Sequence, residues 1–309
     1  MKIIFFGTPE FAVPSLNILL ENGFEISAVI TVPDKEKGRG LKPEPSPIKK
    51  FALSKGLKIL QPEKLKDEAF LHQLIELNPD IGVVVAYRIL PREVYTLPKF
   101  GTFNLHASLL PKYRGAAPIQ WALINGEKVT GVTTFFLQDK VDTGNIILQR
   151  EVLIDDEDNF QTLHDKLAKI GSDLVLETVK LIETGKYELK AQDDSQATFA
   201  PKITKEICMI DWKLEAIKIH NLIRGLSPVP AAFTHLGNKL IKIFKSKIID
   251  ESADKESGII EIRDNEILVN TADKKISIIE LQPESRKRMS AKEFLLGYKS
   301  LIKRYVKLL

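Results

Sequence analysis

Short apolar runs alternate with amphipathic stretches through the first half of the chain. Ile3 to Phe6 is apolar throughout and leads into Phe11, Leu16, Leu19 and Leu20 at helical spacing, stopped by Gly23. Ile26 to Val32 reads as a second strand. A helix from about Pro47, a short strand at Leu57 to Leu60, and a helix carrying Leu65, Leu71, Leu74, Ile75 and Leu77 follow. Asp80 to Ala86 is almost continuously apolar, the pattern of a central parallel strand buried on both faces. Repeated strand, helix, strand order predicts an α/β fold with a doubly wound, mostly parallel sheet and right-handed crossovers. Ligands of such sheets bind beyond the carboxyl ends of the strands, and candidate chemistry is sought there.

The pattern changes in the second half. Phe160, Leu163, Leu167, Ile170, Leu174 and Leu181 give a long amphipathic helix, with Asp158 or Asn159 as N-cap and Gly185 beyond its end. Residues 186–206 are polar and patternless, and include Gln192-Asp193-Asp194-Ser195-Gln196. Ala216 to Arg224 reads as a helix. Five short strands follow at 229–236, 239–249, 258–263, 265–271 and 275–282, with turns at Gly237-Asn238 and Asp264-Asn265. They predict a small β-barrel of OB type. Ser290 and Glu293 form a capping box for a last helix. The expected division is a first domain at 1–189, a linker at 190–206 and a second domain at 207–309.

Composition narrows the class. A chain of 309 residues with 44% hydrophobic and 28% charged residues builds ordinary folded domains, and its length favours two of them. The single cysteine, Cys208, excludes a disulfide framework and a multi-cysteine zinc site. With no apolar run of membrane-spanning length and a first segment that reads as a strand, a cytoplasmic protein is expected. Residues 206–309 carry 19 basic and 14 acidic side chains, whereas 1–205 carry 26 and 27. This asymmetry points weakly to a polyanionic partner for the second domain.

The first strand-to-helix turn, Gly7-Thr8-Pro9-Glu10, lacks G-x-G-x-x-G. Pro9 has no N–H and Glu10 would repel a pyrophosphate, so a dinucleotide site is not expected there. Residues 102–106 read as a strand, and its period of two puts Asn104 and His106 on one face near the carboxyl end. An amide and a protonated imidazole suit an oxygen that gains charge at a tetrahedral centre. Asp142, after the apolar strand 132–137 and again at a strand's far end, is the expected partner that sets the histidine's orientation; Asp139 is placed to cap the same loop. Ser108 lies two residues from His106 without a G-x-S-x-G elbow, so a hydrolase triad is disfavoured. His72, His164, His220 and His235 show no metal-ligand spacing, and no metal is expected.

The run Asn104-Leu-His106-Ala-Ser108-Leu-Leu-Pro111-Lys-Tyr-Arg114-Gly115 resembles the methionyl-tRNA formyltransferase family. So do Phe6-Gly7-Thr8-Pro9, Gly38-Arg39-Gly40, Val141-Asp142-Thr143-Gly144, Asn221-Leu-Ile-Arg224-Gly225-Leu226 and Lys287-Arg288-Met289-Ser290. The resemblance implies a Rossmann-like catalytic domain, an OB-like second domain, 10-formyltetrahydrofolate as formyl donor and methionyl-initiator tRNA as partner of a monomeric enzyme. Matched residue by residue, it assigns catalysis to Asn104, His106 and Asp142. It assigns donor contacts to Ala86, Tyr87, Arg88, Ile89, Leu90, Ser108, Leu109, Leu110, Pro111 and Val141. Arg39, Lys42, Lys245, Arg286, Lys287 and Arg288 become the expected tRNA contacts. Two departures stand out. The loop Ala86 to Pro91 is one residue shorter than usual and resembles that of glycinamide ribonucleotide formyltransferases. Val229 replaces a common tryptophan. Alternative readings are another formyltransferase, acting on glycinamide ribonucleotide or an amino sugar, and a non-enzymatic RNA-binding module.

Overall fold

A computed structural model describes residues 1–37, 42–304 and 306–309. The chain forms two compact units that interleave along the sequence. The first takes residues 1–115, 129–153 and 164–199, and the second takes 116–128, 154–163 and 200–309.

The first unit begins with β1 (Lys2–Gly7), α1 (Val13–Glu21) and β2 (Glu25–Ile30). A short hairpin of β3 (Lys35–Lys37) and β4 (Lys42–Glu44) precedes α2 (Pro47–Ser54), β5 (Ile59–Leu60) and α3 (Glu68–Leu77). Next come β6 (Ile81–Val85), α4 (Arg92–Tyr95), β7 (Thr102–His106) and β8 (Arg114–Gly115). After α5 (Pro118–Ile124), which belongs to the second unit, β9 (Val129–Phe136) and β10 (Ile146–Leu153) complete the sheet. α6 (Phe160–Thr184) and β11 (Phe199–Ala200) follow.

The seven-stranded sheet has the order β10-β9-β7-β6-β1-β2-β5. The five strands from β7 to β5 pair in parallel, whereas β9 pairs antiparallel with both β7 and β10. β1 and β6 are apolar and buried because helices cover both faces of a doubly wound sheet. A Cβ on Gly82 would lie 2.4 Å from the Thr102 hydroxyl, so glycine lets β6 and β7 meet where Thr102 turns to donate to the Tyr95 carbonyl.

The direction of β9 corrects one expectation. Phe103 pairs with Phe136 and His106 with Thr133, so the loop after β9 leaves beside Phe103 rather than at the carboxyl edge of β7. Residues 137–145 fold back to bring Asp142 to His106. β10 was not evident in the sequence: an edge strand that buries Ile146, Ile147 and Val152 but exposes Glu151 and Leu153 has too short an alternation to stand out.

In the second unit α7 (Ala216–Leu226) precedes β12 (Ala232–Leu236), β13 (Lys239–Ser252), β14 (Ile260–Arg263), β15 (Glu266–Asn270), β16 (Lys274–Pro283), β17 (Met289–Ser290) and α8 (Ala291–Arg304). The strands order as β12-β13-β16-β15-β14, with β17 beside β16. Residues 306–309 join the two edge strands: Leu309 exchanges hydrogen bonds with His235 of β12, and Ile260 of β14 donates to the Val306 carbonyl. The last residues thus complete an antiparallel barrel. Trp212, Ile219, Ile223, Phe294 and Leu308 fill its core, and the Trp212 indole donates to Thr234, which donates to the Leu309 carbonyl. Among the described residues no helix is long and apolar enough to cross a membrane.

Candidate active site

Strand alternation puts Asn104 and His106 on one face of β7. Asn104 is half-buried, and its side-chain amide has no hydrogen-bond partner among the described residues. The His106 ring is buried, with Nε2 2.9 Å from the Tyr113 carbonyl oxygen. A carbonyl only accepts, so Nε2 carries the proton of this contact. Nδ1 lies 3.9 Å from Asp142 Oδ2, beyond a direct hydrogen bond. The imidazole therefore faces oxygen acceptors on both sides. The amide of Asn104 is the free donor of the pair, and Nδ1 is the ring nitrogen left to exchange a proton.

Asp142 is held from outside its own loop as well as within it. Its Oδ2 accepts the Gly115 N–H at 2.8 Å, and its backbone is left-handed, with φ 56°. Gly144 is required two residues on, because a Cβ there would lie 1.6 Å from the Phe136 carbonyl oxygen. Asp139 is engaged elsewhere: it accepts from the Tyr95 hydroxyl at 2.6 Å and lies 3.5 Å from Arg92. That carboxylate holds the Tyr95 hydroxyl above its ordinary pKa.

The turn after His106 is held by polar side chains of β9 and β10. Thr133 donates to the Ser108 carbonyl and accepts from the Leu110 N–H; Gln149 donates to the Leu110 carbonyl. The Ser108 hydroxyl is committed to the Lys112 carbonyl at 2.6 Å. Leu110 is buried against Phe135 and Ile146, Leu109 closes on Gly131, and Pro111 is half-buried.

Beyond β6, Ala86 is exposed with φ 50°, Leu90 is buried, and Ile89 is 74% exposed. The Arg88 guanidinium folds back onto the Pro62 and Glu63 carbonyls and the Tyr87 hydroxyl. Burial pushes the Tyr87 hydroxyl above its ordinary pKa, against the pull of Arg88. Val141 is 49% exposed. A cavity of about 540 Å³ lies beside this loop, lined by Gln61, Glu63, Asp67 and Gln73 among others; Asn104, His106 and Asp142 are not among its walls. Among the described residues no cluster of three His, Cys, Asp or Glu side chains is placed to hold a metal.

Of the predicted nucleic-acid contacts, Arg39 lies outside the described residues, and only the backbone of Lys42 is described, in β4. Arg286, Lys287 and Arg288 are exposed on the turn between β16 and β17. Arg288 pairs with Glu280 and lies over the Phe244 ring, while Lys245 pairs with Glu157 at 3.2 Å.

Three neighbours of the site were not evident in the sequence. Tyr113 contributes only a carbonyl and Gly115 only an N–H, main-chain groups that residue type does not signal. Gln192 sits in a stretch without periodicity, yet its amide donates to the Asp142 and Gly144 carbonyls at 2.9 and 2.8 Å.

Comparison with known proteins identifies the family. Residues 1–179 match the formyl transferase family and residues 202–299 match its C-terminal domain. The chain is 48% identical over 300 residues to a methionyl-tRNA formyltransferase from Caldanaerobacter subterraneus subsp. tengcongensis, covering 96% of this chain and 97% of that one. Among solved structures it is similar to WlaRD, a sugar 3N-formyl transferase in the presence of dTDP and 5-N-formyl-THF, with 25% identity and a TM-score of 0.69 over 93% of this chain and 99% of that one. The fold is also that of HypX from Aquifex aeolicus in complex with tetrahydrofolic acid, at 18% identity and a TM-score of 0.67; the chain covers 98% of itself there but spans only 48% of HypX. With both domain matches in order along the chain and near-half identity over almost its full length, the chain belongs to the methionyl-tRNA formyltransferase family.

Proposed function

We infer that the chain transfers the formyl group of 10-formyltetrahydrofolate to the α-amine of methionyl-initiator tRNA. The chemistry rests on one observation: an unpartnered amide donor, Asn104, on the same strand face as an imidazole set between the Tyr113 carbonyl and Asp142. The acceptor is supported by the full-length likeness to an enzyme named methionyl-tRNA formyltransferase.

Attack of the amine on the formyl carbon moves negative charge onto the formyl oxygen; the bond from that carbon to N10 of the donor then breaks, the amine losing a proton and N10 gaining one. Asn104 donates to that oxygen. His106 supplies Nδ1 as the proton-exchanging atom, its ring fixed in orientation by the Tyr113 carbonyl on Nε2. Asp142, held by Gly115, sets its carboxyl group beside Nδ1 and turns the ring toward the reaction centre. The donor fits residues on the loops beyond the sheet: Ile89 and Val141 leave apolar side chains uncovered, the kind of surface a flat ring system covers. Ala86, Tyr87, Arg88 and Leu90 would hold it from one loop, and Ser108, Leu109, Leu110 and Pro111 from the other.

Arg39 and Lys42, with Lys245, Arg286, Lys287 and Arg288 in the second unit, supply attraction to the tRNA backbone. The enzyme works as a monomer in the cytoplasm. The test is to give the protein 10-formyltetrahydrofolate with methionyl-initiator tRNA, glycinamide ribonucleotide or a nucleotide-linked amino sugar and follow loss of donor. Turnover only with the tRNA supports the reading; equal turnover with either small acceptor overturns it.

A further inference from the structure

The two oxygens that face the His106 ring both come from residues with left-handed backbones, Tyr113 at φ 61° and Asp142 at φ 56°. Such conformations are strained for residues other than glycine and persist only where surrounding contacts over-determine them. Several of those contacts come from one stretch, 190–198, whose sequence is polar and patternless.

Its start is tied to β10 by two backbone bonds between Lys190 and Ile146, at 2.8 and 3.0 Å. Gln192 follows and uses its whole amide. Its Nε2 donates to the Asp142 carbonyl at 2.9 Å and the Gly144 carbonyl at 2.8 Å, at the left-handed residue and two residues beyond it. Its Oε1 accepts from Arg114 Nε at 3.0 Å and Nη2 at 2.7 Å. Arg114 is buried, and its Nη2 also meets Asp194 at 2.7 Å. At the other end the Thr198 hydroxyl accepts the Tyr113 N–H at 2.9 Å, and the Thr198 carbonyl accepts the Arg114 N–H at 2.9 Å. Between these ends Asp193 accepts from the Ser195 N–H, the Ser195 hydroxyl and Gln196, which makes the stretch a fixed turn.

We propose that residues 190–198 form a positioning strap for the catalytic histidine, in which Gln192 sets Asp142 and Thr198 sets Tyr113, so that one segment fixes both partners of the His106 ring. Neither residue touches the reacting atoms; each acts through a backbone that carries a ring partner. The amide is suited to the task because it donates and accepts at once. Its donors go to the Asp142 loop and its acceptor to Arg114, beside Tyr113. A carboxylate in its place keeps the acceptor and loses the donors. This inference rests on the formyl-transfer reading above.

A misplacement of about 1 Å at a reacting group typically costs on the order of 100-fold in rate. The experiment measures kcat and KM for donor and for methionyl-tRNA in the full-length protein, with thermal midpoints, for Gln192→Met, Gln192→Glu and Thr198→Val. Each is then combined with Asp142→Asn. The expected result is a fall in kcat of roughly 10- to 100-fold for the Gln192 variants, with either KM changed by less than about threefold. In the Asp142→Asn background the further loss from Gln192→Met should nearly vanish, because residues acting as a unit are non-additive. A residue that only stabilises the fold would lower the thermal midpoint and multiply its effect onto Asp142→Asn. Should Gln192→Met fail to fold, Gln192→Glu carries the same comparison. A kcat within about threefold of wild type for both Gln192 variants overturns the proposal, as does full multiplication with Asp142→Asn. Absence of transfer by the wild-type protein itself would instead remove the functional reading beneath it.

Discussion

His106 Nε2 lies 2.9 Å from the carbonyl oxygen of Tyr113, seven residues further along the same polypeptide. That contact assigns a proton to Nε2 and leaves Nδ1, near Asp142, as the nitrogen able to trade one. The ring is thus oriented by a main-chain group that a side-chain substitution at Tyr113 leaves in place. Functional sensitivity is expected in the loops that carry the two oxygens as much as in the catalytic side chains.

Gly144 is the first such position. Its missing Cβ is what allows the loop to pass the Phe136 carbonyl. Gly144→Ala should lower kcat by about 100-fold while tRNA affinity stays within about threefold, because Asp142 moves but the second unit does not. Steady-state kinetics with parallel binding measurements checks this. A near-normal kcat would show that the loop does not depend on that close approach.

How far the sequence reached differs from residue to residue. Asn104 and His106 were legible because a period of two on a short strand leaves one register for two polar side chains near its carboxyl end. Asp142 was legible by its neighbourhood, although the antiparallel direction of β9 was not, since hydrophobic pattern carries no strand direction. Gln192, Tyr113 and Gly115 escaped because their roles depend on where the chain returns in space. The closing segment 306–309 was hidden for the same reason: its pairing with His235 and Ile260 depends on partners far away in sequence.

A buried lysine makes the second unit acid-sensitive. Lys275 is 4% exposed and contacts Asp254 at 2.7 Å and Glu261 at 3.0 Å. The Glu261 carboxyl is held below its ordinary pKa by the Asn270 amide first and by Lys275 next. A depressed carboxyl contributes stability that is present above its unfolded value, about 4.3, and is lost as pH falls through the lower folded value. Lys275→Met should therefore destabilise the protein by about 2 kcal/mol at pH 7, with the difference shrinking below about pH 4. Denaturant melts at the two pH values test it; an equal difference at both would remove the ion pair from the account.

The ion pairs also sort the basic residues. Arg286 and Lys287 have no ion-pair partner among the described residues, whereas Lys245 is engaged by Glu157. Alanine at Arg286 or Lys287 should reduce the slope of log affinity against log salt by up to about 0.9 per lost phosphate contact. Glu157→Gln should strengthen tRNA binding at low salt by freeing Lys245. A salt series of binding constants is the check, and slopes unchanged in both alanine variants would move the tRNA away from this turn.

The measurement closest to the central claim is the single-turnover rate of N-formylmethionyl-tRNA formation from 10-formyltetrahydrofolate, taken side by side for the wild-type protein and Asn104→Ala. Loss of one oxyanion donor typically costs about 100- to 1,000-fold. The predicted result is rapid product formation by the wild type and a rate lower by that factor in Asn104→Ala, with tRNA binding within about threefold. No product from the wild type, or similar rates from both proteins, would contradict the account.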